Sequence, residues 1–169
     1  MEPQRERRVI APEEGRSVSL GALGVVYKIA GGDTGGSFSV VEHPMEPGTL
    51  GALPHTHTFE DEYSFVLEGE VGVLIDEEEY KATAGSYILK PRGIVHTFWN
   101  PGPSPARILE IISPAGFEGY FEEMAEVISA AGGGAPDFGK MGEIAEKYGL
   151  RLHPERMQEI VEKHGVELR

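Results

Sequence analysis

The sequence predicts an all-β body, a sandwich or a barrel, followed by a short α-helical tail. Three observations carry that expectation. Short apolar or alternating runs recur between residues 17 and 112 with turn residues between them, Gly and Pro are abundant, and the hydrophobic period becomes helical after Phe117. The chain has 169 residues, within the roughly 100 to 200 of a single domain. It is long enough to bury a core without disulfides or a structural metal. Gly 23 and Pro 12 make up about a fifth of it, against an average nearer 12%, so the chain turns often.

The apolar runs lie at 25–29, 38–41, 63–67, 71–75, 86–89, 95–99 and 108–112. Gly31-Gly32-Asp33 and Gly35-Gly36 precede the second run, and Glu68-Gly69-Glu70 makes a tight hairpin. Pro101-Gly102-Pro103-Ser104-Pro105 forbids a strand. Beyond residue 116, Phe117, Phe121, Met124 and Ile128 recur at helical spacing until Gly132-Gly133-Gly134 and Pro136. Asp137 caps a second helix with Met141, Ile144, Ala145 and Tyr148 on one face. A third, weaker helix starts near Pro154 and uses Met157, Ile160 and Val161. The expected division is a β domain over 1–116 and a helical extension over 117–169 packed on it.

Composition excludes several functions. With no cysteine there is no disulfide framework, thiolate zinc site, iron-sulfur cluster or cysteine nucleophile. Lys plus Arg is 15 against 28 for Asp plus Glu, a formal charge of −13, which disfavours nucleic acid and anionic membrane surfaces as partners. Residues 1–8 are charged and lack the apolar run of a secretory signal, and no stretch approaches a membrane span. A soluble cytoplasmic protein is expected.

His55 and His57 are one residue apart. On a strand that spacing puts both imidazoles on one face, roughly 6.5 to 7 Å apart, close enough to meet on one ion. Taken alone, the pair also fits two surface histidines beside a turn. The interval to Glu62 is odd, so the chain must turn near residues 58–61 to bring Glu62 back beside them. His96 follows on a later strand, in the series Gly85, Pro91, Gly93, His96, Asn100.

In these residues the sequence resembles the cupin superfamily. One family motif, His-X-His-X(3 or 4)-Glu-X6-Gly, is complete from His55 to Gly69. The other, Gly-X5-Pro-X-Gly-X2-His-X3-Asn, is complete from Gly85 to Asn100. The leading glycine of the first motif is replaced by Thr49, with Gly48 and Gly51 nearby. The resemblance implies a double-stranded β-helix, the cupin jelly-roll barrel, holding one divalent transition metal per chain on His55, His57, Glu62 and His96. Asp61 is a rival to Glu62, since the family allows three intervening residues; Glu62 is preferred because Gly69 then lies at the required six. The residues around Glu60–Gly69 and 113–118 further resemble small bacterial cupins grouped with quercetin dioxygenases.

Three imidazoles and a carboxylate suit Fe, Mn, Co, Ni, Cu or Zn. In octahedral geometry two positions stay open for a substrate oxygen and dioxygen. The leading expectation is a metal-dependent dioxygenase acting on a small aromatic or enol-type substrate, with Glu62 as ligand and acceptor of the substrate proton. The alternatives are a non-redox isomerase, decarboxylase or lyase, and a non-catalytic small-molecule-binding protein. Strand parity turns Glu62, Ser64 and Val66 inward, with His96, Phe98 and Asn100 on a second inner face. Ser64, Val66, Ile88 and Phe98 would then line an apolar pocket. Tyr63, Phe65, Leu67 and Trp99 would point outward, a face too apolar to leave wet, so the tail or a second subunit must cover it and a homodimer is expected. Glu62 is the single acid expected inside. Glu60, Asp61 and residues 76–79 are expected to be solvated hairpin charges, and His43, His153 and His164 solvated or structural.

Overall fold

The computed structural model describes residues 9–168; residues 1–8, with the charged N-terminal segment, and residue 169 lie outside the described residues. Two antiparallel sheets face one another. The first runs in the order β1 (Ser17–Leu20), β2 (Leu23–Ile29), β3 (Ser39–Met45), β11 (Ala106–Ser113), β6 (Asp61–Glu68), β9 (Tyr87–Lys90). The second runs β12 (Leu150–Leu152), β5 (His55–His57), β10 (His96–Asn100), β7 (Glu70–Ile75), β8 (Glu78–Thr83), with β4 (Thr49–Leu50) also paired to β10. Three helices follow the barrel: α1 (Glu118–Ala130), α2 (Phe138–Lys147) and α3 (Met157–His164).

Alternation places the core. In β6 the even-numbered Glu62, Ser64 and Val66 are buried while Tyr63 and Glu68 are exposed, and β11 alternates without a break, with Ile108, Glu110 and Ile112 inside. One end of the barrel is filled by Met45, Val66, Val71, Val73, Ile88, Phe98 and Ile108. The opposite end is closed by Val25, Val41 and Ile112 packed against Phe117, Phe121, Ala145 and Leu150. The β6–β7 hairpin turns on Gly69, whose φ of +78° suits a residue without a Cβ; a Cβ there would also meet the Pro105 carbonyl oxygen at 2.9 Å.

Asp137 caps α2, its carboxylate accepting from the Lys140 N–H at 3.0 Å. On α1 the buried residues are Phe121, Met124 and Val127, so Val127 takes the inner position and Ile128 sits at the margin. The third helix begins with a 3-10 turn at Pro154–Arg156 before α3. Outward-pointing Trp99 is covered by α3: it is 2% exposed, packed with Leu50, Leu74, Ile160 and Val166, and the His164 ring lies 4.5 Å from its own. Among the described residues nothing covers the outer face of β6 and β9, where Tyr87 is 84% and Leu89 58% exposed. Residues 76–79 are exposed charges of the β7–β8 hairpin, as expected: 76–77 form its turn and Glu78 and Glu79 begin β8, opposite Ile75 and Leu74.

Candidate metal centre

The whole of β5 is His-Thr-His, with both histidines buried and Thr56 turned the other way. β10 lies beside it with His96 directly opposite His55. Residues 58–60 turn the chain into β6 on the facing sheet, which delivers Glu62. The four side chains meet: their donor atoms all lie within 4.8 Å of one another. His55 Nε2 is 3.1 Å from His57 Nε2, His57 Nε2 is 3.3 Å from Glu62 Oε1, and His96 Nε2 is 3.1 Å from Glu62 Oε2. Asp61 stands outside this group, its carboxylate accepting from Arg92 Nη2 at 2.8 Å and Nε at 3.1 Å.

Each imidazole is anchored through its other nitrogen. His55 Nδ1 lies 2.6 Å from the Leu53 carbonyl and His96 Nδ1 3.1 Å from the Ile94 carbonyl, and His57 Nδ1 bonds Glu60. Carbonyl and carboxylate oxygens only accept, so each Nδ1 carries a proton and each Nε2 is the nitrogen turned inward, the one able to offer a lone pair to a cation. Burial, with the neighbouring His96 and His57, holds His55 well below its usual pKa, so it is neutral. For His57, burial acts downward, but Glu62 and Glu60 outweigh it and raise the pKa to about 9. Inward lone pairs about 3 Å apart repel unless a cation lies between them. The donor set, three neutral-capable imidazoles and one carboxylate, thus fits a divalent transition ion.

A second layer of charge lies behind the donors. Lys90, 1% exposed, reaches Glu62 Oε2 at 2.9 Å and also bonds Glu110. Glu110, 2% exposed, accepts from Ser64 Oγ at 2.8 Å and lies 3.3 Å from His43 Nε2, while His43 Nδ1 faces the Gly24 carbonyl at 3.0 Å. Burial acts to raise the Glu62 pKa, but Lys90 and His57 outweigh it and hold the carboxyl well below its usual range. Glu62 is therefore not the single acid inside. Glu110 and Glu60 are buried too, because Lys90 and His57 give each of them a partner. Parity would have placed Lys90 inward, two residues beyond Ile88, and Glu110 between Ile108 and Ile112; the charges themselves argued for the surface.

Of the four residues expected to line a pocket, Val66, Ile88 and Phe98 belong to the packed apolar cluster, and Ser64 is bonded to Glu110. Phe98 is flanked by the His43 ring at 6.1 Å and the Lys90 ammonium at 5.3 Å. On the other side of the donors, the Phe117 ring meets His57 edge-on at 4.4 Å.

A family model described as a cupin domain matches residues 41–112, the stretch holding all four donors. The chain belongs to the cupin superfamily. Among curated proteins, this cupin is 30% identical over 105 residues to the tetracenomycin polyketide synthase protein TcmJ of Streptomyces glaucescens, covering 62% of this chain and 67% of that one. It is 29% identical over 101 residues to the HTH-type transcriptional regulator PuuR of Escherichia coli (strain K12), spanning 59% of this chain and about half, 54%, of the regulator. Among solved structures, KdgF from Halomonas sp. superposes with a TM-score of 0.59 at 16% identity, over 67% of this cupin and 98% of KdgF. A protein described as a predicted oxalate decarboxylase from Thermotoga maritima gives 0.59 at 19% identity, over 63% and 99%. At such identities these likenesses speak to the fold.

Proposed function

We propose that this cupin is a metal-dependent dioxygenase acting on a small aromatic or enol-type substrate. The observation that carries the reading is the convergence of three Nε2 atoms and one carboxylate, each ring held by its own Nδ1 anchor. A bound divalent ion would supply positive charge that acidifies a substrate hydroxyl and a place for dioxygen beside it. His55, His57 and His96 hold their lone pairs on one point because the Leu53 and Ile94 carbonyls and Glu60 fix the rings. Glu62 completes the donor set and is the carboxylate placed to take the substrate's hydroxyl proton. Its depressed pKa makes it a weak acceptor, so transfer requires an acidified hydroxyl. Phe98, two residues along β10 from His96 and on the same face, packs in the apolar cluster beside the donors and makes that side of the site apolar. Both atoms of dioxygen enter the substrate, so no external reductant is needed. The polyketide name of the TcmJ relative supports this substrate class, since polyketide chains enolise and cyclise to phenols.

A second reading is carbonyl polarisation without redox change in an isomerase, decarboxylase or lyase, which the same four donors would serve because polarising a carbonyl needs only the bound ion's positive charge. Metal analysis of protein purified without a histidine tag, followed by oxygen uptake with flavonols and small catechols, separates the two. Iron, manganese, nickel, cobalt or copper with oxygen uptake supports the dioxygenase; zinc with none counts against it.

A further inference from the structure

The strand bearing two of the four donors is three residues long, and its outer edge is covered by a segment more than ninety positions away. β12 pairs with β5 residue for residue: Leu150 opposite His57, Arg151 opposite Thr56 and Leu152 opposite His55. The ladder continues at both ends. The Thr58 N–H and hydroxyl donate to the Gly149 carbonyl at 3.0 and 2.7 Å, and the His153 N–H donates to the Pro54 carbonyl at 2.7 Å. Hydrogen-bonded pairs alternate in an antiparallel ladder. Arg151 and Thr56 therefore form the hydrogen-bonded pair between those two, and Leu150 and His57 a close pair with neighbouring side chains.

Packing points the same way. Leu150 is buried in one cluster with Phe117, whose ring edge rests on His57. The turn into β12 is shaped for this approach: Gly149 has a φ of +66°, and a Cβ there would meet the Phe59 ring at 2.5 Å. On its inner edge β5 has one paired position with β10, His55↔His96. β12 thus supplies most of the ladder that orients His55 and His57, and metal ligands must be held within about 0.5 Å of their working positions. The family match ends at residue 112, so this support lies beyond the part of the chain common to cupin domains.

We propose that Leu150–Leu152 is a positioning element of the metal centre, a strap whose docking on β5 and the binding of the ion strengthen one another. The proposal rests on the reading that His55, His57, Glu62 and His96 bind a divalent ion. Coupling of this kind is reciprocal: a strap that tightens ion binding is itself tightened by the ion.

Arg151→Pro removes the ladder N–H at the centre of the strap while replacing an exposed side chain. Arg151→Val keeps the N–H and suits a strand. Zinc chloride titrated into chelator-stripped full-length protein, followed by calorimetry, is expected to show binding weakened roughly 10- to 100-fold in R151P, the range for lost supporting contacts, and within twofold of wild type in R151V. Hydrogen exchange at the Arg151 and His153 amides of the wild type is expected to slow on zinc saturation. A folded R151P that binds zinc like wild type overturns the strap and leaves the metal reading standing. If R151P does not fold, the exchange experiment decides: slowing sustains the proposal and unchanged exchange overturns it. Wild-type protein that takes up no zinc, manganese, iron, cobalt, nickel or copper overturns the metal reading and the strap with it.

Discussion

Replacing Lys90 by Met tests the charge layer behind the donors. The ammonium compensates two carboxylates, Glu62 and Glu110, at most 3% exposed. Met fills similar volume, so the change isolates the charge. Breaking a buried ion pair from one side costs about 3–5 kcal/mol, because the remaining charge is stranded. At about 2–4 °C per kcal/mol for a chain of this size, the melting temperature should fall by roughly 6–20 °C. The measurement is denaturant and thermal unfolding in excess chelator, so that no ion supplies the missing charge. K90M/E110Q removes one negative charge as well and keeps an acceptor for Ser64; it should recover more than half of the loss. A K90M protein destabilised by less than about 1 kcal/mol, the size of an average substitution, or a double variant no more stable than K90M, refutes the account of Lys90 as the buried counter-charge.

Other outcomes follow from the same structure. The double replacement His55→Ala with His57→Ala removes two of four donors and should abolish stoichiometric metal; a variant that keeps one ion per chain on elemental analysis refutes the donor assignment. Hydrogen bonds from Arg92 hold the Asp61 carboxyl down at about 2. A depressed folded value contributes stability above the unfolded value near 4, so this contribution is lost as pH falls from about 4 through 2. D61N should lack that component of acid unfolding, and identical acid profiles would reject it. Tyr63, Tyr87 and Leu89 leave an apolar face on β6 and β9, and light scattering at micromolar concentration is expected to give the mass of two chains; the mass of one rejects the homodimer.

What could be read in the sequence was what depends on local pattern. Alternation placed Ser64 inside and Tyr63 outside, Asp137 announced α2, and the spacing from His55 to Asn100 carried the donors, because each signal sits within a few residues of its consequence. Lys90 and Glu110 were hidden for a different reason. A charge is buried only when its partner arrives, and these partners come from separate strands, β9, β6 and β11, whose register no local window contains. Leu150–Leu152 is too short to show any period, and its partner lies across the whole barrel. Trp99 was correctly turned outward, yet the helix covering it could be chosen only by the fold.

That covered indole has a practical consequence. Trp99 is the only tryptophan of the chain, so fluorescence excited selectively from tryptophan comes from one position, beneath α3 and beside the His164 ring. Lifting α3 would wet the indole and remove the imidazole together, changing both the emission maximum and the quenching. The protein thus carries an unlabelled optical probe of whether its C-terminal helix is seated, readable at nanomolar concentration while metal, denaturant or substrate is varied.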